Sequence, residues 1–169
     1  AFDLLNENFG PGVNGPLVIA VDLPEVDKAD TAGLIGAFEK MTAAVAATEV
    51  DGEKAVQRVA LPIPNSFSAD DPPTAVIMSV IPTTGPNAQA TADLVQKLRH
   101  EVLPESLAGT PLPSSDVFVG GQTALLFDLK DAIQSRLPLF IGGVIMGAFV
   151  LLMMVFRSLF VPFKAAVMN

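Results

Sequence analysis

The spacing of apolar residues changes twice along this chain, and each change marks a different kind of element. Four short runs rich in Val, Ile and Leu have the length of strands, whereas the segments between them repeat apolar residues every three or four positions, as helices do. We predict strands near residues 17–23, 55–63, 74–81 and 116–120. The second is expected at a sheet edge, because Pro62 and Pro64 close it and proline donates no backbone hydrogen bond.

Helices are predicted before, between and after these strands. A short helix over residues 2–9 is expected to break at Gly10, and a last helix over residues 123–133 follows the fourth strand. The helix after the first strand begins near Asp30 or Thr31. Its apolar stripe is Leu34, Phe38, Met41 and Val45. The helix after the third strand begins near Pro86, and its apolar stripe is Thr91, Leu94, Leu98 and Val102. Residues 104–115, after this helix, are expected to form a loop.

The order strand, helix, strand, strand, helix, strand is that of the ferredoxin-like split βαβ fold (βαββαβ). We therefore predict an α+β domain with an antiparallel sheet in the order 4-1-3-2 and both helices on one face. The unbroken apolar run at residues 17–21 predicts that the first strand is central and buried on both faces. The sequence Asp51-Gly52 predicts a tight turn.

Residues 137–156 form a run of twenty residues without a charge. About 20 apolar residues, rising ~1.5 Å each, cross the ~30 Å hydrocarbon core of a bilayer, so we predict a membrane span here. Within it, Gly143 and Gly147 form a G-x-x-x-G motif with Gly142 beside it. Small residues allow helices to approach closely in lipid, although chance placement is an equal explanation.

Charge predicts the orientation of this span. Residues 1–136 carry eight basic and eighteen acidic residues, a net charge of −10, whereas residues 137–169 carry two basic residues and no acid. Positive charge favours the cytoplasmic side, so residues 1–135 are expected outside the cytoplasm, and an acidic surface excludes nucleic acid as a partner. The chain is expected to leave the bilayer in an elbow at Pro162. The predicted interfacial residues are Arg136, Arg157, Phe160, Pro162, Phe163 and Lys164.

Few residues suggest chemistry. Gly10 to Gly15 satisfies G-x-G-x-x-G, but a strand follows it where a dinucleotide site needs a helix. Gly120 and Gly121 lie between a strand and a helix, where a hinge or close packing is favoured over an anion site; Pro138 is a third expected hinge. His100, the single histidine, is expected on a solvated helix face. No catalytic set is recognisable, so we predict neither an enzyme nor a cofactor or metal site.

Several motifs together resemble the MMPL family of the resistance–nodulation–division (RND) transporter superfamily. They lie near both ends of the chain, whereas residues 24–115 match only in pattern. The resembling segments are FDLL at 2–5, FGPG at 9–12, NGPL at 14–17, GGQTA at 120–124, RLPLF at 136–140 and FRSLFVPFKAAVMN at 156–169. The resemblance implies the second extracytoplasmic porter domain, with the first transmembrane helix of the second repeat, within a larger protein.

The same resemblance implies a function for the parent protein, namely export of lipids or other hydrophobic compounds driven by proton influx across the bacterial inner membrane. Its implied partners are the rest of the same polypeptide, the bilayer and a lipid-like substrate, and a homo-oligomer is compatible with it. The expected segments are an N-terminal helix and turn (1–15), a porter domain (16–135), a span (136–157) and a cytoplasmic elbow (158–169). The alternative is a membrane-anchored extracytoplasmic interaction or assembly module.

Overall fold

The computed structural model describes residues 2–23, 31–68, 73–113 and 116–156. The chain divides into a unit that ends at Phe127 and a unit that begins at Asp128. The described strands, all in the first unit, are β1 Leu17–Asp22, β2 Glu49–Val50, β3 Glu53–Lys54, β4 Val56–Val59, β5 Ile63–Pro64, β6 Ala75–Pro82 and β7 Val117–Gly120. The described helices are α1 Phe2–Phe9, α2 Thr31–Ala46, α3 Gln89–Lys97, α4 Leu103–Leu107 and α5 Gln122–Phe156.

The main sheet confirms the predicted topology. Its strand order is β4-β6-β1-β7, every pair is antiparallel, and β5 adds a short second partner to β6. In the numbering of the four predicted strands this order is 4-1-3-2. Ile19 lies at the centre of the register, opposite Met78 on one side and Val119 on the other.

The second predicted strand is shorter than expected. The predicted range 55–63 becomes β4 and the separate strand β5, because the register shifts between Val56 and Arg58 and regular pairing stops at Val59. Pro62 offers no backbone N–H to the ladder, which explains why pairing does not run continuously into β5. The predicted edge position is confirmed, since β4 pairs with β6 alone among the described strands.

A small hairpin, β2–β3, precedes β4 and was not predicted, because two-residue strands leave no periodic signal. Its turn is Asp51-Gly52, as predicted, and both residues have positive φ angles of 55° and 79°. Two successive positive φ angles match the right-handed twist of hairpin strands, and Asp-Gly adopts them readily.

The helices bury the predicted stripes. Met41 and Val45 of α2 are fully buried. Leu94 of α3 and Leu98, which follows α3 directly, are fully buried too. They join one core with residues from one face of the sheet, which places both helices on that face as predicted. The sheet residues of this core are Leu17, Ile19, Val21, Val76, Met78, Val80, Val117 and Val119.

Two predictions were wrong in part. The segment from Pro104 was expected to be a loop, but α3 continues through a π-helical turn, Leu98–Val102, into α4. Pro104 lies at the start of α4, directly after the π-helical turn, and Leu103 and Leu107 are buried. The strand β1 is central, but only one of its faces is fully buried, so the prediction of burial on both faces is corrected.

Candidate functional site

The helix α5 is the most distinctive element of the chain. In the part of the chain that the structure describes, it is the one helix long and apolar enough to cross a membrane, by length and composition. It contains 35 residues, which corresponds to about 52 Å at ~1.5 Å per residue and exceeds the ~30 Å hydrocarbon core. Leu139, Phe140 and Leu151 are well exposed, as side chains that face lipid are.

The three glycines of the predicted packing motif lie within α5. Gly143 and Gly147 are four residues apart and therefore lie on the same side of the helix, whereas Gly142 lies on another side. Apart from the adjacent residues and the backbone of the same helix, no atom of the described residues comes within 4 Å of the position that a Cβ would occupy at any of them. Among the described residues no helix packs against this motif, so its packing role stays a prediction.

The predicted interface and hinge residues of α5 are placed only in part. Arg136 is exposed, and together with Ile133, Leu137 and Phe140 it lines a shallow recess along the helix. Pro138 lies inside α5, which continues on both sides of it, so a hinge there stays a prediction. The remaining predicted interfacial residues and the elbow lie outside the described residues. These are Arg157, Phe160, Pro162, Phe163 and Lys164.

The turn between β7 and α5 is built on glycine. Gly121 has a φ angle of +99°, which L side chains rarely adopt, and a Cβ there would lie 3.1 Å from the carbonyl oxygen of Pro16. Its own carbonyl accepts the N–H of Leu125 at 3.0 Å, the first turn of the helix. Gly120 ends β7 opposite Val18. The geometry therefore shows close packing at Gly121, and a hinge motion at either glycine stays a prediction.

The described residues hold no group of three or more His, Cys, Asp or Glu side chains that could bind a metal ion. His100 lies in the π-helical turn, is exposed, and its Nδ1 lies 3.0 Å from the carbonyl oxygen of Gln96. This contact within one helix matches the solvated face that the sequence predicted.

The face of the main sheet opposite the helices is apolar at its centre. Ile63, Ile77, Ala20 and Phe118 lie opposite one another on β5, β6, β1 and β7 and form a single row across four strands. Ile63, Ile77 and Phe118 are 53%, 50% and 58% exposed. We call this surface, with the row at its centre, the open face.

The open face has charged residues at its two ends. Arg58 lies opposite Ile81 at one end, and Asp22 lies opposite Ala75 at the other, and both charged residues are exposed. The two ends lie six positions apart along β6, at Ala75 and Ile81, or about 20 Å at ~3.4 Å per residue. An apolar centre with a polar rim is the anatomy of protein interfaces.

Sequence reasoning missed two side chains that shape this sheet. The Asn65 amide oxygen accepts the backbone N–H groups of Thr74 and Ala75 at 3.0 and 3.2 Å, which clamps the start of β6 to the end of β5. Arg99 donates from Nε and Nη2 to the carbonyl oxygen of Val119 at 3.2 and 2.6 Å, on β7. Asn65 follows Pro64, so its turn-forming tendency was a usable signal, but nothing local marks Arg99.

Comparison with known proteins decides the family. The model of the MMPL family matches residues 2–164. The chain belongs to the MMPL family. Its motifs and fold therefore agree with the resemblance drawn from the sequence.

Three relatives show how much of an MMPL protein this chain represents. "Membrane protein YdfJ" of Bacillus subtilis (strain 168) is 36% identical over 165 residues, 98% of this chain and 20% of YdfJ. "Mycolic acid-containing lipids exporter MmpL11" of Mycolicibacterium smegmatis is 28% identical over 160 residues, 95% of this chain and 15% of that protein. "Heme uptake protein MmpL11" of Mycobacterium tuberculosis (strain H37Rv) is 30% identical over the same length and shares. The MMPL chain thus spans a fifth or less of these relatives.

Proposed function

We propose that this MMPL chain is a segment of a proton-driven RND transporter that exports lipids or other hydrophobic compounds. The observation that carries the proposal is the family match, because residues 2–164 include both the folded unit and the apolar helix. In this proposal, residues 16–135 act as an extracytoplasmic porter domain, and residues 136–157 cross the bacterial inner membrane. Family membership favours this function over that of a membrane-anchored assembly module.

The orientation is proposed from charge. The strongly acidic residues 1–136 are placed outside the cytoplasm, and Arg157 and Lys164 on the cytoplasmic side, since basic residues that flank a span favour that side. Arg136 lies at the opposite end of the apolar run, and its long side chain can reach the headgroups. Gly143 and Gly147 are proposed to face a neighbouring helix of the same transporter.

The cargo is proposed to be a lipid or a similarly apolar compound. One relative is named for the export of mycolic acid-containing lipids, and another is named for heme uptake. Both names concern large molecules with extensive apolar surface. The lipid is preferred here because it fits export by a porter domain outside the membrane, and haem becomes the alternative cargo in the test.

The test uses the intact transporter in proteoliposomes with a fluorescent lipid or with haem as cargo. We expect lipid movement that requires a proton gradient and stops when a protonophore collapses that gradient. Liposomes without protein provide the control for passive movement. Transport of haem without transport of lipid would contradict the proposed cargo, and lipid transport unaffected by the protonophore would contradict proton coupling.

A further inference from the structure

A cavity of about 480 Å³ lies among the helices of the first unit, and its size is within the range of pockets that hold small molecules. Its walls come from the end of α2, from β2, and from the helical segment that runs from α3 through the π-helical turn into α4. The lining combines small apolar side chains with hydroxyl groups and charged groups. The lining residues are Ala44, Ala47, Thr48, Glu49, Lys97, Val102, Glu105 and Ser106.

The two hydroxyl groups of this lining are acceptors toward any ligand. Thr48 and Ser106 are only 4% and 5% exposed. The Thr48 hydroxyl donates to the carbonyl oxygen of Ala44 at 3.0 Å, and the Ser106 hydroxyl donates to the carbonyl oxygen of Leu103 at 3.1 Å. A hydroxyl carries one proton and two lone pairs, so each oxygen has only accepting capacity left. A ligand that bonds to them must therefore supply a donor.

The charged side chains of the lining favour a positively charged ligand. Glu49 and Glu105 are exposed, and an ionised carboxylate only accepts hydrogen bonds. Lys97 is the one basic residue among the described residues that line the cavity, and its Nζ already donates to the carbonyl oxygen of Glu49 at 2.9 Å. Two carboxylates and one ammonium group give the lining a net charge of −1. An anion would face net repulsion there, whereas a cation is attracted.

The apolar part of the lining selects the kind of cation. Ala44, Ala47 and Val102 place methyl groups beside the oxygen atoms. A bare metal ion gains nothing from methyl groups, and in the described part of the chain no three His, Cys, Asp or Glu side chains come together to hold one. An alkyl stem that ends in an ammonium group satisfies both parts, because its methylenes pack on apolar surface while its N–H groups donate to the oxygens.

We infer that this cavity binds a primary alkylammonium group, supplied either by a small free amine or by a lysine side chain of a polypeptide. The shared chemistry is a straight apolar stem with three N–H donors and one positive charge at its end. The site lies entirely within the first unit and goes beyond the proposed transport function, on which it does not depend.

The experiment measures binding to the full-length transporter in detergent micelles by saturation-transfer NMR titration. One probe is a free lysine derivative with both backbone ends blocked, and a second is the same lysine at the centre of a blocked glycine peptide. The same free derivative acetylated on its side-chain nitrogen provides the ligand control, because it keeps the stem and loses the charge. Raising the salt concentration should weaken binding of both charged probes, since salt screens exposed charges.

Two pairs of substitutions test which carboxylates hold the probe. Glu49→Gln combined with Glu105→Gln keeps the size of both side chains and removes both negative charges from the cavity. Glu7→Gln combined with Glu39→Gln, at exposed positions outside the lining, is the matched control with the same change in net charge. We expect the first pair to weaken binding on the order of tenfold, because two partly exposed ion pairs are lost, and the control pair to leave the affinity unchanged. Size-exclusion elution identical to that of the parent shows that each variant is folded.

We expect both charged probes to bind and the acetylated derivative not to bind. Tighter binding of the peptide than of the free derivative assigns the site to a lysine side chain of a polypeptide, and equal binding assigns it to a free amine. Absence of binding by both charged probes, equal binding of the acetylated derivative, or equal losses in the two variant pairs would each overturn the inference. Loss of binding in Lys97→Gln, with binding retained in the cavity glutamate pair, would also overturn it.

Discussion

The unit that ends at Phe127 and the unit that begins at Asp128 differ in where they place the same kinds of side chain. In the first, Leu17, Ile19 and Met41 are fully buried between sheet and helices. In the second, Leu139 and Leu151 are well exposed, and the most apolar stretch of α5 has none of its residues buried. The two regions are therefore built for different solvents.

The difference has a simple energetic meaning. Exposing apolar surface to water costs about 25 cal/mol per Å², which is why the core of the first unit buries leucines such as Leu17 and Leu94. In a bilayer the same exposure carries no such cost, while every backbone polar group must be paired within the element. A long helix such as α5 meets that demand by itself. The open face of the sheet lies between these extremes, since it is apolar at its centre and charged at its ends.

The largest expected difference between the two units is in the free energy of unfolding when the same Leu→Ala substitution is made in each. Leu94→Ala should lower the free energy of unfolding by about 2–5 kcal/mol, because it leaves a cavity in the core. Leu139→Ala, at an 81% exposed position of α5, should leave the folded unit unchanged. Urea denaturation of the 169-residue chain in detergent micelles measures both. Equal losses for the two variants would refute the division of the chain into two environments.

The second test places a lysine inside and outside the apolar run of α5. Val144→Lys should reduce membrane insertion, because a lysine near the centre of a span costs about 2.5–3.5 kcal/mol. Asp128→Lys, outside the apolar run, is the control and should insert normally. Insertion is measured by alkaline extraction of membranes. If Val144→Lys stays fully membrane-integrated in the same amount as the parent, α5 does not cross the bilayer at that position.

A smaller effect is expected at the G-x-x-x-G face of α5. Gly143→Leu combined with Gly147→Leu should weaken packing against a neighbouring helix by about 1–3 kcal/mol and lower assembly or export. Ala148→Leu, which adds bulk on a different side of the helix, serves as the matched control. Export activity and the yield of assembled transporter provide the measurements. Normal export by the double variant would show that the motif arose by chance.

The smallest predicted effect separates two glycines of the first unit that share a positive φ angle. Gly121→Ala should lower stability by about 1–3 kcal/mol because of its backbone conformation and because Pro16 lies close by. Gly52→Ala has the same conformational cost, but apart from its chain neighbours no described atom lies within 4 Å of the new Cβ, so its loss should fall at the low end of that range. Unfolding midpoints of the two variants are compared directly. A larger loss at Gly52 would contradict the close packing described at Gly121.

Sequence periodicity predicted the layered fold well and its surfaces poorly. The stripe containing Met41 and Val45 and the strand runs around Ile19 and Met78 were recognisable because a buried face imposes a strict period on the sequence. The apolar run at residues 17–21 misled, because Val18 and Ala20 look like core residues although they face away from it. Two polar residues were the signal that this face is open. Ser79 of β6 and Asp22 of β1 each alternate with buried residues along their own strand.

Contacts between residues distant in sequence account for the rest. Arg99 reaches Val119 across twenty positions, and no local pattern announces such a bond. The π-helical turn that contains Arg99 also carries no sequence signature, and the helix continues beyond it where Pro104 suggested a stop. The glycines of the β7–α5 turn were recognised as a pair, but the crowding at Gly121 depends on Pro16, more than a hundred residues earlier.

Cysteine labelling measures most directly whether the folded unit and the end of the chain lie on opposite sides of a membrane. Single cysteines replace Asp93 on α3 and Asn169 in the intact transporter, and a membrane-impermeant maleimide is added to whole cells. The charge difference across the apolar run predicts that Asp93→Cys is labelled, whereas Asn169→Cys is labelled only after the cells are made permeable. Labelling of Asn169→Cys in whole cells with protection of Asp93→Cys would contradict the orientation, and labelling of both would contradict the span itself.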